Sequence, residues 1–88
     1  AALRDDDPYV RKVALGLIED ADNPPVEPIA QMALNDPSPQ LRISALELLA
    51  DTYDNAAQKY LKKASNDSDP KVKKFAQELL KEIQEDDH

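Results

Sequence analysis

Residues 36–49 read DPSPQLRISALELL, and two further stretches of the chain repeat this pattern without a gap. Residues 5–18 read DDDPYVRKVALGLI, and residues 67–80 read DSDPKVKKFAQELL. A shift of 31 positions brings each stretch onto the next, so that Pro39 falls on Pro8 and Pro70 falls on Pro39. A fixed period of this size is typical of supersecondary units that stack on one another and share a continuous core.

Several columns keep the same chemistry in all three copies, including a loop carboxylate, a first-turn cation, a small residue and three aliphatic positions. These columns are Asp5/Asp36/Asp67, Arg11/Arg42/Lys73, Ala14/Ala45/Ala76, Val10/Leu41/Val72, Leu17/Leu48/Leu79 and Ile18/Leu49/Leu80. The carboxylate and the cation are expected to tie each loop to its own or to an adjacent repeat through charge-assisted hydrogen bonds. Because the pair recurs in every unit, it indicates architecture rather than a catalytic site.

Length, composition and net charge limit the fold classes and the types of partner to be expected. Eighty-eight residues make one small domain, in which each repeat must bury its apolar face against the next. With 41% hydrophobic residues, 33% charged residues and a single glycine, the chain is expected to be helical rather than disordered or a β-sandwich. A net charge of −7 argues against nucleic acid and anionic membrane as partners.

Targeting signals and cysteine chemistry add little. The absence of cysteine excludes disulfides and thiolate metal sites, and no apolar run reaches the length of a membrane span. No secretion signal is visible, which favours a soluble cytoplasmic protein, although removal of a signal before Ala1 would leave a periplasmic location open.

Apolar residues at spacings of three and four predict amphipathic helices. Asp7, Ser38 and Asp69 each precede a proline and offer a side-chain oxygen to the free amides of a first turn. The acidic residues 85–87 are expected to fray. The five predicted helices span about residues 8–21, 25–34, 39–53, 55–65 and 70–84.

A loop aspartate, a proline at the helix start, an aliphatic-arginine pair and an alanine three residues later resemble the HEAT-like repeat, in particular the short version first described in phycobilisome lyases. The motif is clearest in residues 36–49, and with its copies from Asp5 and Asp67 it covers nearly the whole chain. No tetratricopeptide or ankyrin signature is present. The resemblance implies an all-α fold, a right-handed αα-solenoid of about 2.5–3 repeats whose second helices line the concave face. In that family the scaffold usually binds another protein.

We expect a single domain over residues 1–88 in which the last unit is incomplete and has the charged outer face of a terminal repeat. Residues 1–3 align with the end of a second helix one repeat later, so the chain is expected to be part of a longer array. A missing preceding helix would uncover Val10, Val13 or Leu17 and favour self-association through that face. The predicted units span about residues 5–35, 36–66 and 67–88.

The sequence offers little for catalysis, metal binding or cofactor binding, and we predict none of the three. His88 is the only histidine and is most simply a solvated tail. The paired His-Glu motifs of HEAT-like deoxyhypusine hydroxylases are absent, and the acidic runs lack the glycine turn and terminal glutamate of a Ca²⁺ loop. Two alternatives stay open: an enzyme or enzyme subunit of the bilin-lyase type, and a structural spacer without a ligand.

Candidate partner-binding residues are those that remain on the second helices once the apolar columns are removed. If the family geometry applies, they form two adjacent ridges of the concave face, one acidic and one basic. A segment of another protein is predicted to lie across them, with Met32 as an adaptable apolar contact. Ordinary solvated helix faces are the alternative interpretation. DNA is not the expected partner, because the HEAT-like glycosylases that use a cationic concave face are strongly basic overall. The candidates are Glu27, Pro28, Gln31 and Met32 on one helix and Gln58, Lys59, Lys62 and Lys63 on the next.

Overall fold

The computed structural model describes residues 5–20, 22, 24–52 and 54–86. Within these residues the backbone forms five helices and no strand, so the fold is all-α, as predicted. The helices are α1 (Pro8–Glu19), α2 (Val26–Asn35), α3 (Pro39–Thr52), α4 (Asp54–Ala64) and α5 (Pro70–Asp86).

Helices α1, α3 and α5 each begin at a proline that follows a capping side chain. Asp7 Oδ1 accepts a hydrogen bond from the amide of Tyr9 at 2.9 Å, and Asp69 Oδ1 accepts one from the amide of Lys71 at 2.8 Å. The Ser38 hydroxyl accepts a longer bond of 3.4 Å from the amide three residues on. Each cap satisfies an amide that has no partner inside the helix, which fixes where the helix starts.

Aliphatic and alanine side chains from all the helices form the core. Alanine is buried at the same repeat position in all three units, at Ala14, Ala45 and Ala76. A side chain this small lets a neighbouring helix approach closely, which is how short helices can share one core. The largest fully buried side chains are Ile29, Leu46, Leu49, Leu61 and Val72.

Helices α2 to α5 stack on one another, whereas α1 is held more loosely. Helix α2 packs on α3 and also contacts α4, and α5 packs on both α4 and α3. Helix α1 contacts α3 but makes few contacts with α2. Successive helix pairs therefore pack each on the next, which is the arrangement of an αα-solenoid.

Two helix ends differ from the prediction by two residues, and all the others lie within one residue of it. Helix α1 stops at Glu19, two residues early, where the amide of Asp20 bonds to the carbonyl of Gly16 at 3.3 Å. Helix α5 continues through Asp86 instead of fraying after residue 84. Residues 71–86 contain neither proline nor glycine, so no residue in that stretch breaks the helical backbone.

Candidate functional site

Arg11 joins the first helix pair to the loop that opens the second pair. Its Nε and Nη2 donate to the two carboxylate oxygens of Asp36 at 2.8 and 3.0 Å. Its Nη1 donates to the backbone carbonyls of Asp5 at 2.8 Å and Asp6 at 3.2 Å. The side chains of Arg11 and Asp36 are only 8% and 2% exposed. Two charges this poorly solvated are tolerated because the guanidinium fork and the carboxylate satisfy each other.

The ion pair with Asp36 also affects the pKa of Arg11. The hydrogen bond to Asp36 raises the pKa of the guanidinium, burial opposes the rise, and the negative charges of Asp36, Asp5 and Asp6 add to it. The net shift is upward, so the side chain remains a cation wherever the protein is folded.

Arg42 repeats this geometry one unit later. Its Nε and Nη2 donate to the carboxylate of Asp67 at 2.9 and 3.0 Å, and its Nη1 donates to the backbone carbonyl of Asp36 at 2.6 Å. We call each of these arginine–aspartate pairs a rung. In both rungs the aspartate Oδ1 also accepts a hydrogen bond at 2.8 Å from the backbone amide two residues on, that of Ser38 or Asp69. The pairing thus runs between adjacent units. We call Arg11, Asp36, Arg42 and Asp67 the loop ladder.

The two remaining repeat positions lie at the ends of the loop ladder. Asp5 has the same local turn, since its Oδ1 accepts the amide of Asp7 at 2.9 Å and its carbonyl accepts Arg11. Among the described residues, no cation reaches the Asp5 carboxylate, and no carboxylate reaches the exposed Lys73. Asp5 and Lys73 each occupy the position of one half of a rung.

Helices α2 and α4 meet at a small polar cluster. The Tyr60 hydroxyl donates to Glu27 Oε1 at 3.3 Å, and Lys59 Nζ lies 5.0 Å from the centroid of the Tyr60 ring. The Tyr60 side chain thus links an acid on α2 to a cation on α4, and its ring attracts that cation. Two of the predicted candidates, Glu27 and Lys59, are brought together in this way.

The other polar candidates stay at the surface of the same two helices. Gln31 is exposed and accepts a hydrogen bond at 2.9 Å from the side-chain amide of Asn35. Lys62 and Lys63 are exposed, and neither forms an ion pair with any residue that the structure describes. Gln58 is half-buried. We call Glu27, Gln31, Gln58, Lys59, Lys62 and Lys63 the α2/α4 surface.

Comparison with known proteins gives a match to one family model. A family model for HEAT repeats matches residues 1–81. The chain belongs to the HEAT repeat family. Neither the curated proteins nor the solved structures contain a significant match to it. HEAT repeat proteins are commonly interaction scaffolds and typically non-enzymatic.

The assignment of Met32 to the partner-binding surface needs correction. Met32 is only 4% exposed and belongs to the hydrophobic core, while its accessible edge faces the gap between α1 and α2. The prediction relied on repeat position, because Met32 aligns with Lys63, which is exposed. The two positions have different surroundings, since Met32 packs in the core cluster and Lys63 faces solvent.

Sequence reasoning also missed Tyr60. It occupies the apolar position that Ile29 fills one repeat earlier, so the spacing alone predicts only a core residue. Its ring is indeed buried, at 7% exposure, but the hydroxyl reaches Glu27. The signal was available: a tyrosine at an aliphatic position of a repeat usually has a polar partner for its hydroxyl.

A polar recess of about 400 Å³ lies where the loop ladder meets α4. Lys63 lines it together with Arg42, Asn66 and Asp67.

In the described part of the chain no cluster of three or more His, Cys, Asp or Glu residues is placed to hold a metal ion. None of the helices described is long and apolar enough to cross a membrane.

Proposed function

We propose that this HEAT repeat chain is a non-catalytic scaffold that binds another protein across the α2/α4 surface. One observation carries the proposal: Lys62 and Lys63 are exposed and lack an ion-pair partner in the described structure, in a molecule whose net charge is −7. A cationic patch on an acidic scaffold attracts an acidic segment.

The geometry of the neighbouring residues supports a fixed rather than a mobile surface. Tyr60 is buried and joins Glu27 to its own helix, which holds α2 and α4 in register beside the two lysines. A partner therefore meets side chains anchored on packed helices, so it loses less binding free energy to ordering this surface.

The partner expected on these grounds is an extended or helical protein segment that carries several carboxylates and some apolar surface. The carboxylates would face Lys62 and Lys63. Contacts at the rim of such an interface alter the association rate and its dependence on salt more than they alter the dissociation rate.

The test compares two double variants that change the net charge equally. Lys62→Glu/Lys63→Glu reverses the proposed contact, and Lys71→Glu/Lys74→Glu reverses two exposed lysines on α5. Each variant and the unaltered chain serve as bait in source-cell lysate, after circular dichroism has shown equal melting temperatures.

A protein captured by the unaltered chain and by the α5 variant, but lost with the α4 variant, supports the proposal. Equal capture by all three baits excludes this surface. Capture by none of them favours the spacer interpretation.

A further inference from the structure

The polar recess beside the loop ladder has an uncompensated positive charge. The carboxylates of Asp36 and Asp67, which line it, are each bound by an arginine of the loop ladder. Lys63 also lines the recess, and it has no ion-pair partner in the described structure. The loop ladder is neutral as a whole, so the lysine leaves one positive charge in the recess. A ligand that carries a single negative charge would balance it.

Neutral hydrogen-bond donors lie beside this lysine. Asn66 and Ser68 line the same recess, and neither side chain forms a hydrogen bond within the part of the chain that the structure describes. An amide and a hydroxyl can each donate to an anionic oxygen. Leu34, which is half-buried, adds an apolar section of wall. A cation, two neutral donors and an apolar wall together suit a carboxylate on a short aliphatic stem.

The end of α4 does not use the ammonium group of Lys63. A lysine in the last turn of a helix can donate to carbonyls that have lost their helical partners. Here a backbone amide bonds to three of these carbonyls, and the Ser65 hydroxyl donates to the fourth at 2.6 Å. The ammonium group is therefore available to a ligand. The four carbonyls are those of Leu61, Lys62, Lys63 and Ala64.

The equivalent positions one repeat earlier show that the repeat does not require this chemistry. Lys63 and Ser68 align with Met32 and Pro37, 31 positions before them. Both earlier residues line the gap between α1 and α2 beside Arg11, whose rung is nevertheless complete. A rung thus forms with a methionine and a proline at these two positions. The lysine and the serine are additions to the loop ladder rather than parts of it.

We propose that the polar recess binds the carboxylate of a glutamate side chain through Lys63, Asn66 and Ser68. The inference rests on the proposed function, because the glutamate would belong to the acidic segment bound at the α2/α4 surface. It also separates the two lysines of that surface. Lys63 holds one carboxylate in place, whereas Lys62, which does not line the recess, contributes only to the general attraction.

Phosphate fits the recess less well than a carboxylate does. Its second negative charge would find no free cation among the residues that line the recess, and it would lie close to the carboxylate of Asp67. Like charges that are close together in a partly desolvated site repel one another.

Nuclear magnetic resonance of the isotope-labelled chain tests the site without a partner protein. The probe is the peptide acetyl-Ala-Glu-Ala-amide, and its glutamine counterpart is the control, which lacks the charge. We expect only the glutamate peptide to give saturable shifts of the Asn66 side-chain amide and the Ser68 backbone amide. Inorganic phosphate, added at the same ionic strength, should bind more weakly than this peptide.

A matched pair of variants identifies the lysine responsible. Lys63→Met removes the charge from the recess and should weaken binding of the glutamate peptide by about five-fold. Lys62→Met removes the same charge from the same helical turn but outside the recess, so it should weaken binding by less than about two-fold. Both lysines are exposed, so equal melting temperatures are expected and are checked by circular dichroism.

Four results would overturn the proposal: equal weakening by the two variants, equal shifts with the glutamine peptide, tighter binding of phosphate, or no saturable shift at Asn66 and Ser68. Failure of the proposed function gives a different result. A chain that binds the glutamate peptide in the recess but captures no protein from lysate would have the carboxylate site without the scaffold role. Capture that depends on both lysines, without peptide binding, would support the scaffold role and exclude the recess.

Discussion

Asp36 accepts hydrogen bonds from three residues. Its carboxylate binds Arg11 and accepts the Ser38 amide, and its backbone carbonyl accepts Arg42. A carboxylate that is 2% exposed would be costly without these partners. With them, one residue connects both rungs of the loop ladder and fixes the loop before α3.

The second rung gives a direct test of the loop ladder. Arg42→Ala leaves the carboxylate of Asp67 poorly solvated, so we expect a loss of about 3 kcal/mol in the free energy of unfolding. Urea unfolding followed by circular dichroism measures it. Lys73→Ala is the matched control, because it removes a cation from the same repeat position without breaking an ion pair in the described structure. Equal losses in the two variants would show that the rung contributes nothing of its own.

Arg11 should not make stability depend on pH near neutrality. Its pKa is raised in the folded chain, chiefly by the hydrogen bond to Asp36. A raised pKa contributes stability fully below the ordinary arginine value and loses it only as pH rises through the higher folded value. The stability difference between the chain and Arg11→Gln should therefore be constant from about pH 7 to pH 10, as measured by urea unfolding. A steady decline across that range would contradict this assignment.

At the scale of the element, α1 differs from its repeat equivalents in packing rather than in pattern. It carries the same aliphatic columns as α3 and α5, yet α3 is the main helix against which it packs. Its helix also contains the only glycine, Gly16, and beyond the adjacent residues and the helix's own backbone no heavy atom lies within 4 Å of where a Cβ would be. Nothing in the structure requires a glycine there.

Gly16→Ala should therefore stabilise the chain. The backbone at Gly16 does not have positive φ, and the added methyl group meets open space. Alanine in place of a mid-helix glycine is worth about 0.5–1 kcal/mol in the free energy of unfolding. Thermal unfolding monitored by circular dichroism would detect the rise in melting temperature. A fall would mean that the site is more crowded than the structure shows.

Leu48 and Leu17 form a natural pair of sites for comparing burial at one repeat position. Leu48→Ala removes a side chain that is 7% exposed and should cost about 2–3 kcal/mol of unfolding free energy. Leu17→Ala removes one that is 70% exposed and should change it by less than about 0.5 kcal/mol. Urea unfolding of both variants gives the comparison. Similar costs would show that Leu17 is covered in solution.

For the whole molecule, these differences predict a gradient of local stability. Helix α1 is held by few contacts, whereas α3 packs against α2, α4 and α5. Units of a stacked array unfold most readily where they have fewest neighbours. We expect the central amides of α1 to exchange at least about ten-fold faster than those of α3, measured by hydrogen exchange and mass spectrometry. Uniform protection would indicate that the chain unfolds only as one unit.

The architecture was predictable from the sequence to the level of individual helices. The period, the capping residues and the prolines determine where α1, α3 and α5 begin, because each is a local property of the chain. The partners in the loop ladder were not predictable, since the spacing of Arg11 and Asp36 allowed pairing within a unit as well as between units. The burial of Met32 was missed for a similar reason: it depends on how the helices pack around α2, which no local pattern records.

The loop ladder runs along only one edge of the stack. Directional, charge-assisted hydrogen bonds hold the helices together at that edge. We therefore expect the stack to bend about this edge, so that the helix ends away from it move apart or together. A ligand that binds α2 and α4 together would hold two neighbouring units at a fixed separation, and so would set the curvature of the stack.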